Sequence, residues 1–308
     1  MAKKAESISV FELGKLEVQT LLIKLEPSKK DDPSPPRPLL VASPKDPGRY
    51  PVILLLHGFF LDNTDYRQIL LHIASHGFIL VAPELYDSKL AVLWHAWSDE
   101  DIIRGAKVID WLPTGLQPAL PTGVEANLDR LAIAGHSRGG HSAFSLALGY
   151  GSPNLPFSAL VGIDPVAGSE WFQVPPRILA GDSPFELGIP VLVIGTGLGH
   201  LKKNPCCLPC APDGFNHEDF YNKCKRTTGY HVVVSEYGHM DILDDDAPFT
   251  KCTCKNGVNC RDIMRRTTAD LVVAFAEAHL EGDGGDLKAI LNDPKLAPTE
   301  LYPVEYHE

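Results

Sequence analysis

The stretch Leu131-Ala132-Ile133-Ala134-Gly135-His136-Ser137-Arg138-Gly139-Gly140 runs from an apolar segment of strand composition straight into Gly-x-Ser-x-Gly, and the small-residue helical stretch His141 to Leu148 follows. Strand, sharp turn and helix are the context in which this motif holds a serine hydroxyl above a sheet as a nucleophile. The residue types have a steric reason. The serine must occupy a tight, strained turn, and Gly135 and Gly139 leave room for the adjoining strand and helix to approach each other.

The bare pentapeptide also occurs in ordinary turns, so its surroundings decide. Upstream, Tyr50 to Leu56 is a near-continuous apolar run of strand length that ends in His57-Gly58-Phe59-Phe60. Hydrolases place an oxyanion-hole loop in that position. From Tyr50 onward, apolar strands alternate with helical segments, with strands expected at Val52 to Leu56, Phe78 to Pro83, Leu131 to Ala134, Ala159 to Ile163, Val191 to Ile194 and His231 to Glu236. This rhythm predicts an α/β protein of the α/β-hydrolase fold, a mostly parallel central sheet with helices on both faces.

With 308 residues, of which 44% are hydrophobic, the chain can bury one sizeable core, and residues 1–308 are expected to form a single α/β-hydrolase domain. Within it, about 1–49 reads as N-terminal edge strands (Phe11 to Leu25) and an exposed connection (Pro27 to Pro38). About 197–229 reads as a long Cys- and Pro-containing insertion of the kind that forms lids or binding loops. An apolar stripe from about Asp262 to Leu280 predicts a helix stopping before Gly282, and about 286–308, with Pro294, Pro298 and Pro303, reads as a tail.

A formal net charge of −11 without a long basic run argues against nucleic acid as a partner and against attachment to an anionic bilayer. No apolar stretch reaches the roughly 18 residues of a membrane span, so membrane contact is expected to be peripheral at most. Met1 to Ser7 carries a basic pair but no apolar core, and Glu6, Glu12 and Glu17 count against a transit peptide. All seven cysteines fall between Cys206 and Cys260. Only Cys207 and Cys210 have paired metal-ligand spacing and no second pair follows, which argues against zinc. The cysteines read as structural ties, with a bridge expected between the group Cys206 to Cys224 and the group Cys252 to Cys260.

A serine hydroxyl becomes a nucleophile when a histidine takes its proton, and the histidine needs a carboxylate to fix its tautomer. In α/β-hydrolases these arrive in the chain order Ser, acid, His. Of the twelve histidines, His239 lies just past the last predicted strand, after Gly238, and is the expected base. His231 and His57 read as structural, and His136 as packed inside the elbow. For the acid, the strand Val191 to Ile194 ends in Gly195-Thr196-Gly197 with no carboxylate, whereas Leu160 to Ile163 ends in Asp164. Asp164 is favoured over Asp213 on this position. The backbone N–H groups of Phe59 and Arg138 are the expected oxyanion donors. Phe60, Trp94 and Trp97 are candidates for the substrate pocket, although Trp94 and Trp97 at i, i+3 equally suit packing of a helix. Asp241 and the run Asp244 to Asp246 read as a solvated face.

With these residues in place the sequence resembles the plant chlorophyllases. The resemblance rests on Gly135-His136-Ser137-Arg138-Gly139-Gly140, Gly162-Ile163-Asp164-Pro165-Val166, Ser75-His76-Gly77-Phe78-Ile79, Tyr237-Gly238-His239-Met240-Asp241, Cys252-Thr253-Cys254-Lys255-Asn256-Gly257 and Met264-Arg265-Arg266. It implies chlorophyll as substrate, with hydrolysis of its phytyl ester to chlorophyllide and phytol, the triad Ser137, Asp164 and His239, and no metal or other cofactor. Ala167 stands where the resemblance leads one to expect an aspartate. A chloroplast location is implied too, with vacuole, endoplasmic reticulum and cytosol left open by the N-terminus. The competing readings are a general carboxylesterase or lipase of the same fold, since a triad specifies acyl transfer and not the acyl group, and a non-catalytic ligand-binding protein.

Overall fold

The computed structural model describes residues 9–24, 34–87, 98–247 and 254–308. Strands are β1 (Val18–Ile23), β2 (Leu39–Pro44), β3 (Gly48–Leu56), β4 (Ile79–Pro83), β5 (Val124–His136), β6 (Ala159–Ile163), β7 (Gly168–Ser169), β8 (Phe172–Gln173), β9 (Val191–Thr196), β10 (Gly229–Val234) and β11 (Leu301–His307). The helices are α1 (Arg67–Ser75), α2 (Glu100–Ala119), α3 (Arg138–Ala147), α4 (His217–Lys223), α5 (Arg261–Ala276) and α6 (Gly285–Asn292). Nine strands form one sheet in the order β1-β2-β4-β3-β5-β6-β9-β10-β11, and β7 and β8 make a separate small hairpin.

The six central strands, β4, β3, β5, β6, β9 and β10, are parallel neighbours, and they are the six expected from the sequence. Strands buried on both faces read as unbroken apolar runs, and here the period of two sorts them into two cores. Val52, Leu54 and Leu56 face the layer holding Ile109 and Leu112 of α2 and Phe144 of α3. Ile53 and Leu55 face the layer holding Ile69 and Ile73 of α1 and Leu271 and Phe275 of α5. Helices therefore cover both faces, and this is the mostly parallel α/β-hydrolase architecture that the alternating pattern predicts.

The edges are antiparallel. β1 pairs with β2, which pairs with β4, so the N-terminal segment does supply edge strands. At the other edge the residues read as a tail instead close the sheet: α6 packs Leu287 and Ile290 into the core and β11 pairs with β10 in antiparallel register. Pro303 escapes the usual ban on proline in a sheet because β11 is the outermost strand, where an N–H can be dispensed with. The helix expected at Asp262 to Leu280 is α5 plus a π-type turn, Glu277–Glu281, that ends at left-handed Gly282 (φ 82°). A glycine is favoured there because a side chain at positive φ is strained.

A disulfide joins Cys210 to Cys254, and so ties the insertion to the segment after His239, as the cysteine grouping predicts. Cys252 lies outside the described residues. With a sequence separation of 44 between the two cysteines, closing this loop is expected to contribute about 4 kcal/mol through the entropy it removes from the unfolded chain. Accordingly, the Cys210→Ala/Cys254→Ala double variant should unfold at lower urea than the oxidised protein. Dithiothreitol should then lower the midpoint of the wild type but not of the variant, and an unshifted wild-type midpoint would sink the tether.

Candidate active site

The ends of the central strands bring three loops together. β5 ends at His136 and α3 begins at Arg138, so Ser137 must reverse the chain within a single position; it takes φ 57° and ψ −125°. A non-glycine residue at positive φ is held there only by its surroundings. The surroundings are tight. A Cβ on Gly135 would lie 2.1 Å from the Gly139 carbonyl oxygen, and one on Gly139 would lie 2.2 Å from that of Leu56, which is why the motif needs both glycines. Ser137 N–H donates to the Ile163 carbonyl at 3.1 Å, tying the turn to the last residue of β6. Asp164 follows directly, and also stands at positive φ (41°).

Ser137, Asp164 and His239 meet. His239 Nδ1 lies 2.7 Å from Asp164 Oδ2 and its Nε2 lies 2.8 Å from Ser137 Oγ. The carboxylate can only accept, so Nδ1 carries the proton and Nε2 is left to accept from the serine hydroxyl. Asp164 is fully buried. Thr196 donates to it twice, from Oγ1 to Oδ2 at 2.7 Å and from its N–H to Oδ1 at 3.2 Å. Burial alone would push this carboxyl up, but the hydrogen bonds from His239 and Thr196 and the electrostatic pull of the neighbouring His239 and His217 rings outweigh it and hold the pKa at about 2. Asp213, the other candidate acid, is exposed and accepts from Asn216 Nδ2 at 3.3 Å.

Phe59, Phe60, Ser137, Arg138 and His239 line one cavity of about 450 Å³, whose walls are otherwise mainly apolar, with Leu61, Val166, Phe172 and Val174 among them. The Cys210–Cys254 disulfide forms part of the wall. Phe59 and Phe60 pack edge to face 4.7 Å apart, and Phe60 is a third non-glycine residue at positive φ (61°). Arg138 opens α3, where backbone N–H groups have no carbonyl four residues back within the helix. Its guanidinium is turned inward: Nε donates to Asp101 Oδ2 at 2.5 Å, Nη2 to the Ser98 carbonyl at 2.9 Å, and the group lies 5.4 Å over the Phe59 ring. Tyr86 donates to the same Asp101 oxygen at 3.0 Å. Trp94 and Trp97 lie outside the described residues.

His57 and His231 fall as read, their rings bonded to groups other than the serine. His57 accepts from Leu85 N–H and contacts the Gly58 carbonyl, bracing the loop after β3. His231 bonds His217 and Glu305. One reading is corrected. Asp241 and Asp244 are buried, and only Asp245 and Asp246 are exposed. Asp241 accepts from Gly238 N–H at 2.8 Å and Gly257 N–H at 2.7 Å, so it folds the loop that carries His239 instead of solvating it. The signal was its spacing, since an aspartate three residues after a glycine can bond back to that backbone. Thr196, Asp101 and Tyr66 carried no such local signal, because their partners are far away in sequence.

Comparison with known proteins agrees with the resemblance. A family described as Chlorophyllase matches residues 6–308. The chain is 47% identical over 294 residues to "Chlorophyllase-1, chloroplastic" of Citrus unshiu, covering 93% of this chain and 86% of that protein. It is 44% identical over 322 residues to "Chlorophyllase-2" of Arabidopsis thaliana, covering 99% of this chain and 98% of that protein. It is 43% identical to "Chlorophyllase-1" of Arabidopsis thaliana, with 96% and 91% covered.

Asp164 makes stability depend on acid in a way that can be measured. Its folded pKa of about 2 lies below the unfolded value of about 3.9, so the stabilisation is fully present above the unfolded value and is lost as pH falls towards 2. The amount is on the order of 2 kcal/mol. The gap in urea stability between wild type and Asp164→Asn should therefore narrow by about that much from pH 5 to pH 2, and a constant gap would contradict the assignment.

Proposed function

The chain belongs to the chlorophyllase family, and from that premise we propose that it is a serine esterase hydrolysing the phytyl ester of chlorophyll to chlorophyllide and phytol. The observation that carries this reading to particular atoms is the 2.8 Å contact of Ser137 Oγ with His239 Nε2, backed by Asp164 at 2.7 Å.

On this reading His239 takes the hydroxyl proton as Ser137 Oγ attacks the ester carbonyl. The backbone N–H groups of Phe59 and Arg138 hold the oxyanion, at the start of a helix whose dipole favours negative charge. Collapse of the tetrahedral intermediate breaks the bond to the phytyl oxygen, which takes the proton from His239 and leaves as phytol. Water, deprotonated by the same histidine, then releases chlorophyllide from the acyl-enzyme. An apolar cavity suits so hydrophobic an ester, and Phe60 on its wall is proposed to contact it. Such a cavity also strengthens each electrostatic contact made inside it. Relatives from Citrus carry "chloroplastic" in their names, and we infer the same compartment for this chain.

The test is incubation of the purified protein with chlorophyll in mild detergent and chromatography for chlorophyllide and free phytol. Ser137→Ala should lose several orders of magnitude of activity while keeping its circular dichroism spectrum. Retention of more than about a hundredth of the wild-type rate would remove Ser137 from the mechanism. Asp164→Asn should cost about 10³ to 10⁴ in kcat and Asp213→Asn little, and the reverse ranking would move the acid into the insertion.

A further inference from the structure

Beneath Ser137 lies a buried polar chain that the reaction as written does not use. Gly58 N–H donates to Tyr66 Oη at 3.0 Å, Tyr66 Oη lies 2.7 Å from His136 Nδ1, and His136 Nε2 lies 3.0 Å from the carbonyl oxygen of His239. Tyr66 and His136 are both fully buried. The chain begins on the loop after β3, passes under the elbow through the residue preceding the nucleophile, and ends on the backbone of the residue that carries the base.

Its protons can be arranged in one way only. Tyr66 has a single hydroxyl proton, and His136 Nδ1 is the acceptor within reach of it. If Nδ1 were protonated instead, the buried hydroxyl proton would have no acceptor among the described residues, and the bare Nε2 would face the His239 carbonyl, two acceptors 3.0 Å apart. Tyr66 therefore donates to Nδ1, and His136 Nε2–H donates to the His239 carbonyl. Burial pushes the His136 pKa well down, in keeping with a neutral ring. Space is equally constrained, since a Cβ on Gly58 would lie 3.1 Å from Ser137 Cβ and 3.3 Å from His136 Nδ1.

We propose that Tyr66 and His136 are positioning residues which, through this directed hydrogen-bond chain, lock the oxyanion loop at Gly58-Phe59 and the His239 backbone into one geometry about Ser137. The proposal rests on the roles assigned above to Phe59 and His239. A buried polar network is worth keeping only when every member is satisfied, and removing one hydroxyl from this one strands a donor at Gly58 and lets His136 change tautomer. Both consequences displace groups needed in the transition state more than in the bound substrate, so the loss belongs in kcat.

The experiment compares wild type, Tyr66→Phe and Ser137→Ala on a short p-nitrophenyl ester, with nitrogen-15 NMR of the histidine rings in the wild type. Tyr66→Phe should lower kcat roughly ten- to a hundredfold, less than outright removal of an oxyanion donor, with KM within about threefold. The His136 ring should be neutral with its proton on Nε2 from pH 5 to 9. A folded Tyr66→Phe with kcat within about twofold of wild type would overturn the proposal, as would a loss confined to KM. If Tyr66→Phe does not fold, the wild-type spectrum decides: Nε2–H supports the chain, and Nδ1–H or a charged ring overturns it. An active Ser137→Ala would sink the triad reading separately, whatever the spectrum gives.

Discussion

Everything at this site depends on one strained peptide turn. Ser137 sits at φ 57° because β5 must become α3 without an intervening loop, a conformation costing about 1 to 3 kcal/mol that must be sustained by contacts elsewhere. Those contacts can be named. Gly135 and Gly139 let backbone touch backbone, and the Ser137 N–H is held by the carbonyl of Ile163. The Ser137 carbonyl in turn accepts from Val166 N–H at 3.0 Å, so the loop carrying Asp164 is stitched to the turn on both sides. Of the four non-glycine residues at positive φ among the described residues, Phe60, Ser137 and Asp164 belong to this site and Ser152 does not. Such clustering is what a pre-organised site requires, because groups already in place need not reorganise as charge develops.

The position of Asp164, the proposed acid, follows from how two neighbouring strands divide the work. β6 ends at Ile163 and delivers Asp164, whereas β9 ends at Thr196, where a carboxylate would stand in many hydrolases. Thr196 satisfies both carboxylate oxygens, leaving Oδ2 shared with His239. A buried charge without such partners would protonate, and a protonated acid would no longer hold the imidazole in one tautomer. The strand that ends without a carboxylate is therefore the one that keeps Asp164 ionised.

What the sequence made legible was what local pattern controls. Six parallel strands, the elbow, Asp164 and His239 are all written as apolar runs that end in a polar residue, and the sheet simply places those ends side by side. Less legible was whatever depends on partners distant in the chain. Tyr66 meets His136 across 70 positions and Arg138 meets Asp101 across 37, and neither pair has any spacing to announce it. The last strand was hidden for another reason. Tyr302 to Tyr306 alternates poorly and contains Pro303, a pattern that suits only an edge, and an edge strand carries little apolar signal because only one side of it is paired. Asp241 was misread because an acidic run looks alike whether its first members turn inward or outward.

The disulfide links these two kinds of information. Cys210 and Cys254 bracket β10 and the loop bearing His239, and the same bond lines the cavity into which Ser137 opens. Within that loop, buried Asp241 gathers Gly238 and Gly257, with Asn256 donating to it at 2.9 Å. The His239 carbonyl meets His136, and the His239 ring meets Asp164. His239 is therefore held through its own ring and carbonyl and through the bonds of Asp241, in a loop followed by the segment that the disulfide ties to the insertion. A loop on the surface would ordinarily be free to move; this one is over-determined, and that is the physical condition under which a histidine can stay within hydrogen-bonding reach of a serine beside an apolar cavity.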